Sequence, residues 1–249
     1  SLQLMKILLI NTPRSPHNMI LESAPAEAKH FIHKKLIGPP LGLLTVAKAV
    51  EDYDVTVFDT KGEYDLNPAT TPPLNELVLN LLREHNPDVV GTTTIASEFY
   101  YAIEILQTAK LYNPEILTVA GGLHTTLSPM DFNNPAVDMI LPGQSALTFR
   151  EVIQAKEKEM SFEHIPGVII NKNGILTPTE AKAKNIDSAG KDFLMPDRKH
   201  LERWKETYKV GNNPYPSTYI FTSLGCPYKC TFCSIWCQFN GRYLQRDVE

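Results

Sequence analysis

The feature that most constrains this chain is an alternation between Lys6 and Lys158, where short, continuous apolar runs are separated by stretches of helical periodicity. Lys6–Asn11, Val55–Asp59, Asp88–Thr93, Ile116–Ala120 and Val137–Leu141 read as five strands. They are mostly solid apolar runs rather than alternating ones, as expected of strands covered on both faces. Leu41–Tyr53, Leu74–His85, Ser97–Tyr112 and Ala146–Lys158 read as the helices between and after them, with Leu77, Leu81 and Leu82 on the inward face of the second. Ser97 stands where it can cap the third. The pattern predicts an α/β fold, a doubly wound parallel five-stranded sheet, whose ligands bind outside the carboxyl ends of the strands.

Residues 161–217 differ. Val168–Asn171 and Ile175–Thr177 flank Lys172-Asn173-Gly174, and the Asn-Gly pair suits a hairpin turn. Pro178 to Pro216 is rich in proline and charge. It reads as an interdomain linker with some helix near Arg198–Tyr208. Ser217–Thr222 then reads as a strand leading into a cysteine-rich segment, and Arg242 onward as the start of a helix. The expected organisation is an α/β domain over 5–160, a hairpin and linker over 161–217, and the opening of a second, incomplete domain over 218–249.

A formal net charge of -4 gives no electrostatic footprint for nucleic acid or an acidic membrane surface. No apolar run approaches the roughly 20 residues that span a bilayer.

All four cysteines fall between Cys226 and Cys237. A disulfide framework spreads its cysteines to staple distant parts of a chain. Clustering of this kind favours metal ligation in a reducing compartment, and so the cytoplasm. Cys226, Cys230 and Cys233 have the spacing C-x3-C-x2-C. Three thiolates on one short loop can hold three irons of a cubane, leaving the fourth iron open to a substrate group. Two other readings use Cys237 as a fourth ligand. One is a structural zinc site, although those are usually built from two separated ligand pairs. The other is a ferredoxin-like cluster, although C-x3-C fits neither ferredoxin pattern well.

The segment Gly225-Cys226-Pro227-Tyr228-Lys229-Cys230-Thr231-Phe232-Cys233, with an aromatic before the third cysteine, resembles the signature of the radical S-adenosylmethionine enzymes. The resemblance implies a [4Fe–4S] cluster on Cys226, Cys230 and Cys233. It also implies S-adenosylmethionine bound to the open iron and cleaved at a C–S bond by an electron from the cluster. The stretches Lys6–Arg14, Pro39–Leu44, Pro87–Thr94, Ala120–Thr126 and Leu141–Gln144, in that order, resemble the cobalamin-binding domain that precedes the radical domain in cobalamin-dependent members. Leu194–Arg198 resembles the segment which that family places before its cysteines. Cobalamin contacts are thereby implied for Asn11, Thr12, Pro13, Leu41, Gly42, Thr92, Thr93, Thr94, Gly121, Gly122, His124, Gly143 and Gln144.

The residues themselves are compatible with this. Gly121, Gly122 and Gly143 allow close backbone approach to a broad ligand, and the Thr92–Thr94 hydroxyls can bond a buried heterocycle. The chain departs from the family pattern in two places. The cobalt-ligating motif Asp-x-His-x-x-Gly after the first strand is replaced by Asn11-Thr12-Pro13-Arg14-Ser15-Pro16, with His17 at the wrong spacing. Gln144 stands where a Gly-Glu pair is frequent. Either cobalt has no protein ligand on its lower face, or cobalamin is not bound.

The resemblance implies methyl transfer to an unreactive carbon of a small-molecule or peptide substrate, supported by a reducing electron donor. A radical domain of that family has roughly 200 residues, and this chain ends at Glu249, shortly after Cys233. The expectation is an N-terminal portion that does not turn over by itself. Two alternatives stay open: a radical enzyme whose α/β domain does not bind cobalamin, and a non-catalytic cobalamin- or metal-binding module.

Overall fold

The protein is described by a computed structural model over residues 4–14, 25–27, 38–179, 194–209, 213–239 and 241–246. The fold is built outward from β1 (Lys6–Asn11), whose Ile7 and Leu9 enter one core while Leu8 and Ile10 enter the other. All four are at most 1% exposed, which explains why the run is apolar without interruption. Each such side chain contributes about 2 kcal/mol of transfer free energy.

On either side of β1 lie β2 (Asp54–Asp59) and β3 (Val89–Thr93), followed by β4 (Leu117–Gly121) and β5 (Met139–Leu141). The order β2-β1-β3-β4-β5 is parallel throughout. The chain reverses its direction of winding between β1 and β3, and in a sheet of this order a crevice opens at that point.

The sheet has two more strands than the sequence suggests. The hairpin forms as β6 (Ile169–Lys172) and β7 (Ile175–Pro178), with Asn173 and Gly174 both at positive φ in the turn. It does not stand apart from the α/β domain. β6 pairs antiparallel with β5 and extends the sheet to seven strands.

One face is covered by α1 (Leu41–Ala49) and α6 (Ala146–Glu157); the other by α3 (Leu74–His85) and α4 (Phe99–Tyr112), with α2 (Thr60–Leu66) following β2 directly. Helix α3 buries Leu74, Leu77, Val78, Leu81 and Leu82, a stripe at i, i+3, i+4, i+7, i+8. It stops at Asn86, whose left-handed φ of 43° lets its N–H return to the Leu82 carbonyl at 2.8 Å.

Several local expectations are corrected. Ser97 does not cap α4: it lies in a 3-10 turn, Ala96–Glu98, and the α-helix begins at Phe99 without a side-chain cap. Glu98 is drawn inward instead, accepting from the Thr12 hydroxyl at 2.6 Å and pairing with Lys61 at 2.6 Å. A short helix, α5 (Leu123–Leu127), follows the Gly121-Gly122 pair. Residues 217–222 form no strand, and among the described residues no strand pairs with them. Pairing starts only at β8 (Ser223–Gly225), which meets β9 (Tyr243–Gln245) in an antiparallel hairpin, with α7 (Ile235–Gln238) between them. Residues 243–245 are therefore strand rather than the helix expected from Arg242 onward. In the linker, residues 198–201 and 205–207 form 3-10 turns.

Candidate functional site

At the carboxyl edge of the sheet lies a cavity of about 1150 Å³. That exceeds the 300–1,000 Å³ usual for small-ligand pockets. One wall comes from the loops after β3, β4 and β5 and the start of α1. The opposite wall comes from Leu194–Pro196 and from the β8–β9 hairpin, including Leu224, Phe239 and Leu244.

Among the residues expected to contact a cofactor, Gly42, Thr92, Thr93, Gly121, Gly122, Gly143 and Gln144 line this cavity. Gly42 and Gly143 present bare backbone to it: a Cβ built on either meets nothing within 4 Å. Gly143 is held in place by its N–H, which donates to the Thr126 hydroxyl at 2.8 Å. Gly122 has a different task. Its φ is +105°, and a Cβ there would lie 2.7 Å from the Thr94 N and O and the Thr93 Oγ1. The β4–α5 turn is thus packed directly onto the end of β3.

The Thr92 hydroxyl donates to the Ile10 carbonyl at 2.9 Å, and that of Thr94 to the Ile95 carbonyl at 2.8 Å. Their oxygens remain acceptors, but their protons are committed to the backbone.

The other expected residues lie elsewhere. Leu41 is 4% exposed and part of the core. Asn11 donates from Nδ2 to Asp59 Oδ1 at 2.7 Å, and Thr12 is engaged with Glu98. Pro13 borders a second, smaller cavity of about 380 Å³ with Arg14, Lys61, Tyr64 and Tyr101. Burial raises the phenol pKa of both tyrosines. His124 is packed between Phe99 and Phe132, at 5.4 Å from each ring, and its Nε2 lies 3.0 Å from Asp131 Oδ2. Among the described residues no histidine lines the large cavity. His17 lies outside the described residues.

The cysteine loop joins β8 to α7 beside this cavity, and Gly225 and Ile235, on either side of the three cysteines, line it. Cys226 and Cys233 are half-buried, Cys230 is exposed, and all three are free thiols. The Cys230 carbonyl accepts from the Cys233 N–H and the Trp236 indole, both at 3.1 Å, which folds the loop back on itself. Three thiols and no carboxylate on one loop are a donor set suited to iron. Among the described residues, the cysteine side chains do not stand close enough together to form a group that could hold a metal ion.

Sequence reasoning missed the residues that carry the connection between the two walls: Asp59, Glu63, Arg203, Trp204 and Tyr208. Glu63 accepts from Arg203 Nε and Nη2 at 2.7 Å each and from the Trp204 indole at 2.8 Å. These bonds, the Arg203 guanidinium foremost, hold its carboxyl at about 2. Tyr208 donates to Asp59 Oδ2 at 2.8 Å, and burial, reinforced by that carboxylate, pushes its phenol far up. The only advance signal was an acidic residue ending the apolar run of β2.

Residues 31–153 match the family model described as B12 binding domain. This part of the chain is similar to B12-binding domains. Over 217 residues, 85% of this chain and 44% of the relative, it is 31% identical to an uncharacterized methyltransferase of Pyrococcus horikoshii. It is 23% identical over 180 residues to the cobalamin-dependent radical SAM methyltransferase TokK of Streptomyces tokunonensis, covering 66% of this chain and 25% of that protein. The structure of the radical S-adenosylmethionine methyltransferase TsrM from Kitasatospora setae, with cobalamin and a [4Fe-4S] cluster bound, superposes with a TM-score of 0.62 at 16% identity, covering 98% of this chain and 44% of that one. The resemblance to cobalamin-dependent radical S-adenosylmethionine enzymes thus extends over both the α/β domain and the cysteine segment. The chain spans less than half the length of these relatives.

Proposed function

We propose that this chain is the cobalamin- and cluster-bearing portion of a cobalamin-dependent radical S-adenosylmethionine methyltransferase. The supporting observation is the two-walled cavity. A B12-binding domain supplies one wall, and the hairpin that carries Cys226, Cys230 and Cys233 supplies the other.

In this reading the backbone at Gly42, Gly121 and Gly143 would hold the corrin, which needs surface without side chains. Gly122 and the Thr93–Thr94 backbone fix the turn beneath it. The described residues of the lining would offer cobalt no histidine. Cys226, Cys230 and Cys233 are the residues that would hold the [4Fe–4S] cluster, their loop closing on it from its wider spacing, and the cluster would supply the binding of S-adenosylmethionine. When bound, these groups supply a carbon-centred radical and a transferable methyl group. The apolar part of the lining, including Leu9, Val119, Leu141 and Leu224, would limit water where a radical is generated. An electron donor and an unreactive carbon on a small molecule or peptide complete the proposal. A reducing compartment, the cytoplasm, suits free thiols of this kind, and among the described residues no helix is long and apolar enough to cross a membrane.

The test is anaerobic incubation with hydroxocobalamin, followed by desalting and a visible spectrum. Retained corrin bands, shifted to those of cobalamin without its base on cobalt, support the reading. A colourless, folded protein replaces it with a radical enzyme whose α/β domain does not bind cobalamin.

A further inference from the structure

The segment 197–208 is not a free linker. It is a strap fixed along the β2 side of the α/β domain by two buried carboxylates. Asp59, the last residue of β2, is fully buried and holds three donors: Asn11 and the Lys61 N–H on one oxygen and Tyr208 alone on the other. Glu63, one helical turn later in α2, is 6% exposed and takes three donors from Arg203 and Trp204. Trp204 stands edge-on to Phe58, ring centroids 5.1 Å apart, and lies over Gly62, where a Cβ would come within 2.8 Å of the indole. Backbone bonds carry the strap onward. Asp197 N–H donates to the Leu44 carbonyl at 3.1 Å, and Ser217 N–H to the Tyr208 carbonyl at 2.7 Å. The Arg198 guanidinium donates to the Tyr219 carbonyl at 2.8 Å. The next residues, Ile220 and Phe221, already line the large cavity, and β8 follows.

An apolar contact alone would let such a strap slide. A buried carboxylate does not, because an oxygen left without its donor is costly to bury. The two carboxylates therefore select one register of the strap, and the strap sets where the hairpin begins. Asp59 does more, because Asn11 ends β1 and leads into the loop at the switch point. One carboxylate thus ties the end of β1 to the strap that carries the opposite wall.

We propose that Asp59 and Glu63 are positioning residues which, through Tyr208 and Trp204, seat the cysteine hairpin as the second wall of the cavity. The inference rests on the two-walled reading of the cleft given above. A ligand that touches both walls is then coupled to the docking of the strap, each favouring the other.

The experiment compares residues 1–249 as wild type, Tyr208→Phe, Glu63→Gln and Gly62→Ala. Gly62→Ala leaves every charge in place, favours the helix and displaces only Trp204. Hydrogen exchange is read at the Asp197 and Ser217 amides, with Leu81 and Leu82 in α3 as internal controls. Alkylation of half-buried Cys226 by iodoacetamide is followed in parallel, and hydroxocobalamin affinity is measured last. In all three variants the strap amides are expected to exchange about tenfold faster or more, with the α3 amides unchanged. Cys226 alkylation should accelerate, and hydroxocobalamin should bind about fivefold or more weakly. Unchanged strap exchange overturns the pin. Faster strap exchange with unchanged Cys226 alkylation and corrin affinity overturns the seating of the hairpin. A wild type that binds no corrin sinks the cobalamin reading alone, and the exchange and alkylation results still decide the positioning claim.

Discussion

Two glycines of the same cavity should respond to the same substitution to different extents. Gly122→Ala places a methyl 2.7 Å from the backbone N and O of Thr94, at a φ of +105°. That φ lies well beyond the left-handed region open to other residues, and such conformations cost about 1–3 kcal/mol before any clash is counted. Neither atom it meets is the end of a flexible side chain, so the β4–α5 turn has to move. The expected loss is about 3 kcal/mol or more, against a total stability of about 5–15 kcal/mol. Gly143→Ala meets nothing within 4 Å and has a φ of +73°. Its cost is the left-handed strain of about 1–2 kcal/mol, partly offset by the lower entropy of the unfolded alanine chain. At about 2–4 °C per kcal/mol for a chain of this size, Gly122→Ala should lower Tm by about 6–12 °C and Gly143→Ala by about 2–4 °C. Corrin retention should invert the ranking per degree lost, since the Gly143 methyl occupies ligand space in an otherwise intact fold. Thermal unfolding followed by far-ultraviolet circular dichroism, with hydroxocobalamin titration on the same samples, reads both. Equal Tm losses for the two variants would refute the reasoning, because they would mean that the Gly122–Thr94 contact does not exist.

Replacing Cys226, Cys230 and Cys233 with serine should remove bound iron and sulfide after anaerobic reconstitution while shifting Tm by no more than about 2 °C, since none of the three belongs to the core; iron and sulfide analysis beside a melting curve checks this. Glu63 has its carboxyl lowered from 4.5 to about 2, chiefly by Arg203. The folded state therefore binds this proton less readily than the unfolded one, so the stabilisation is complete above about 4.5 and fades as pH falls toward 2. Glu63→Gln should flatten that part of the acid-unfolding profile, measured by Trp fluorescence between those limits. Asp52, bidentate to Arg150 at 2.6 and 2.7 Å, is half exposed. Asp52→Asn should cost no more than about 1 kcal/mol by urea denaturation, in contrast to the buried carboxylates.

The sheet was legible because burial on both faces leaves a direct trace. Ile7 to Ile10 have no polar face to show, and the run identifies itself as an inner strand. The cleft was legible for a related reason. Parallel strands bring their carboxyl ends to one edge, so Thr92, Thr93, Gly121, Gly122 and Gly143 had to meet there once the strands were known. Asn11, Thr12 and His124 show where that logic stops. Their position at the edge follows from topology, but the direction of each side chain is set by a partner elsewhere: Asp59, Glu98 and Asp131 respectively. No periodicity records such pairs. The strap is the extreme case. Tyr208 and Asp59 are 149 positions apart, and Trp204 and Glu63 are 141 apart. Proline and charge over 178–216 suggest a linker, with some helix near Arg198–Tyr208. They do not say whether its few large side chains find a buried carboxylate. A segment with only short 3-10 turns can be as firmly placed as a strand if its side chains supply the bonds its backbone lacks. The second wall of the cavity depends on that difference. A free linker would leave the cysteine hairpin at an arbitrary distance from the α/β wall, whereas a pinned strap holds the two walls at one separation, which under the proposed function would be the separation across which the bound groups work.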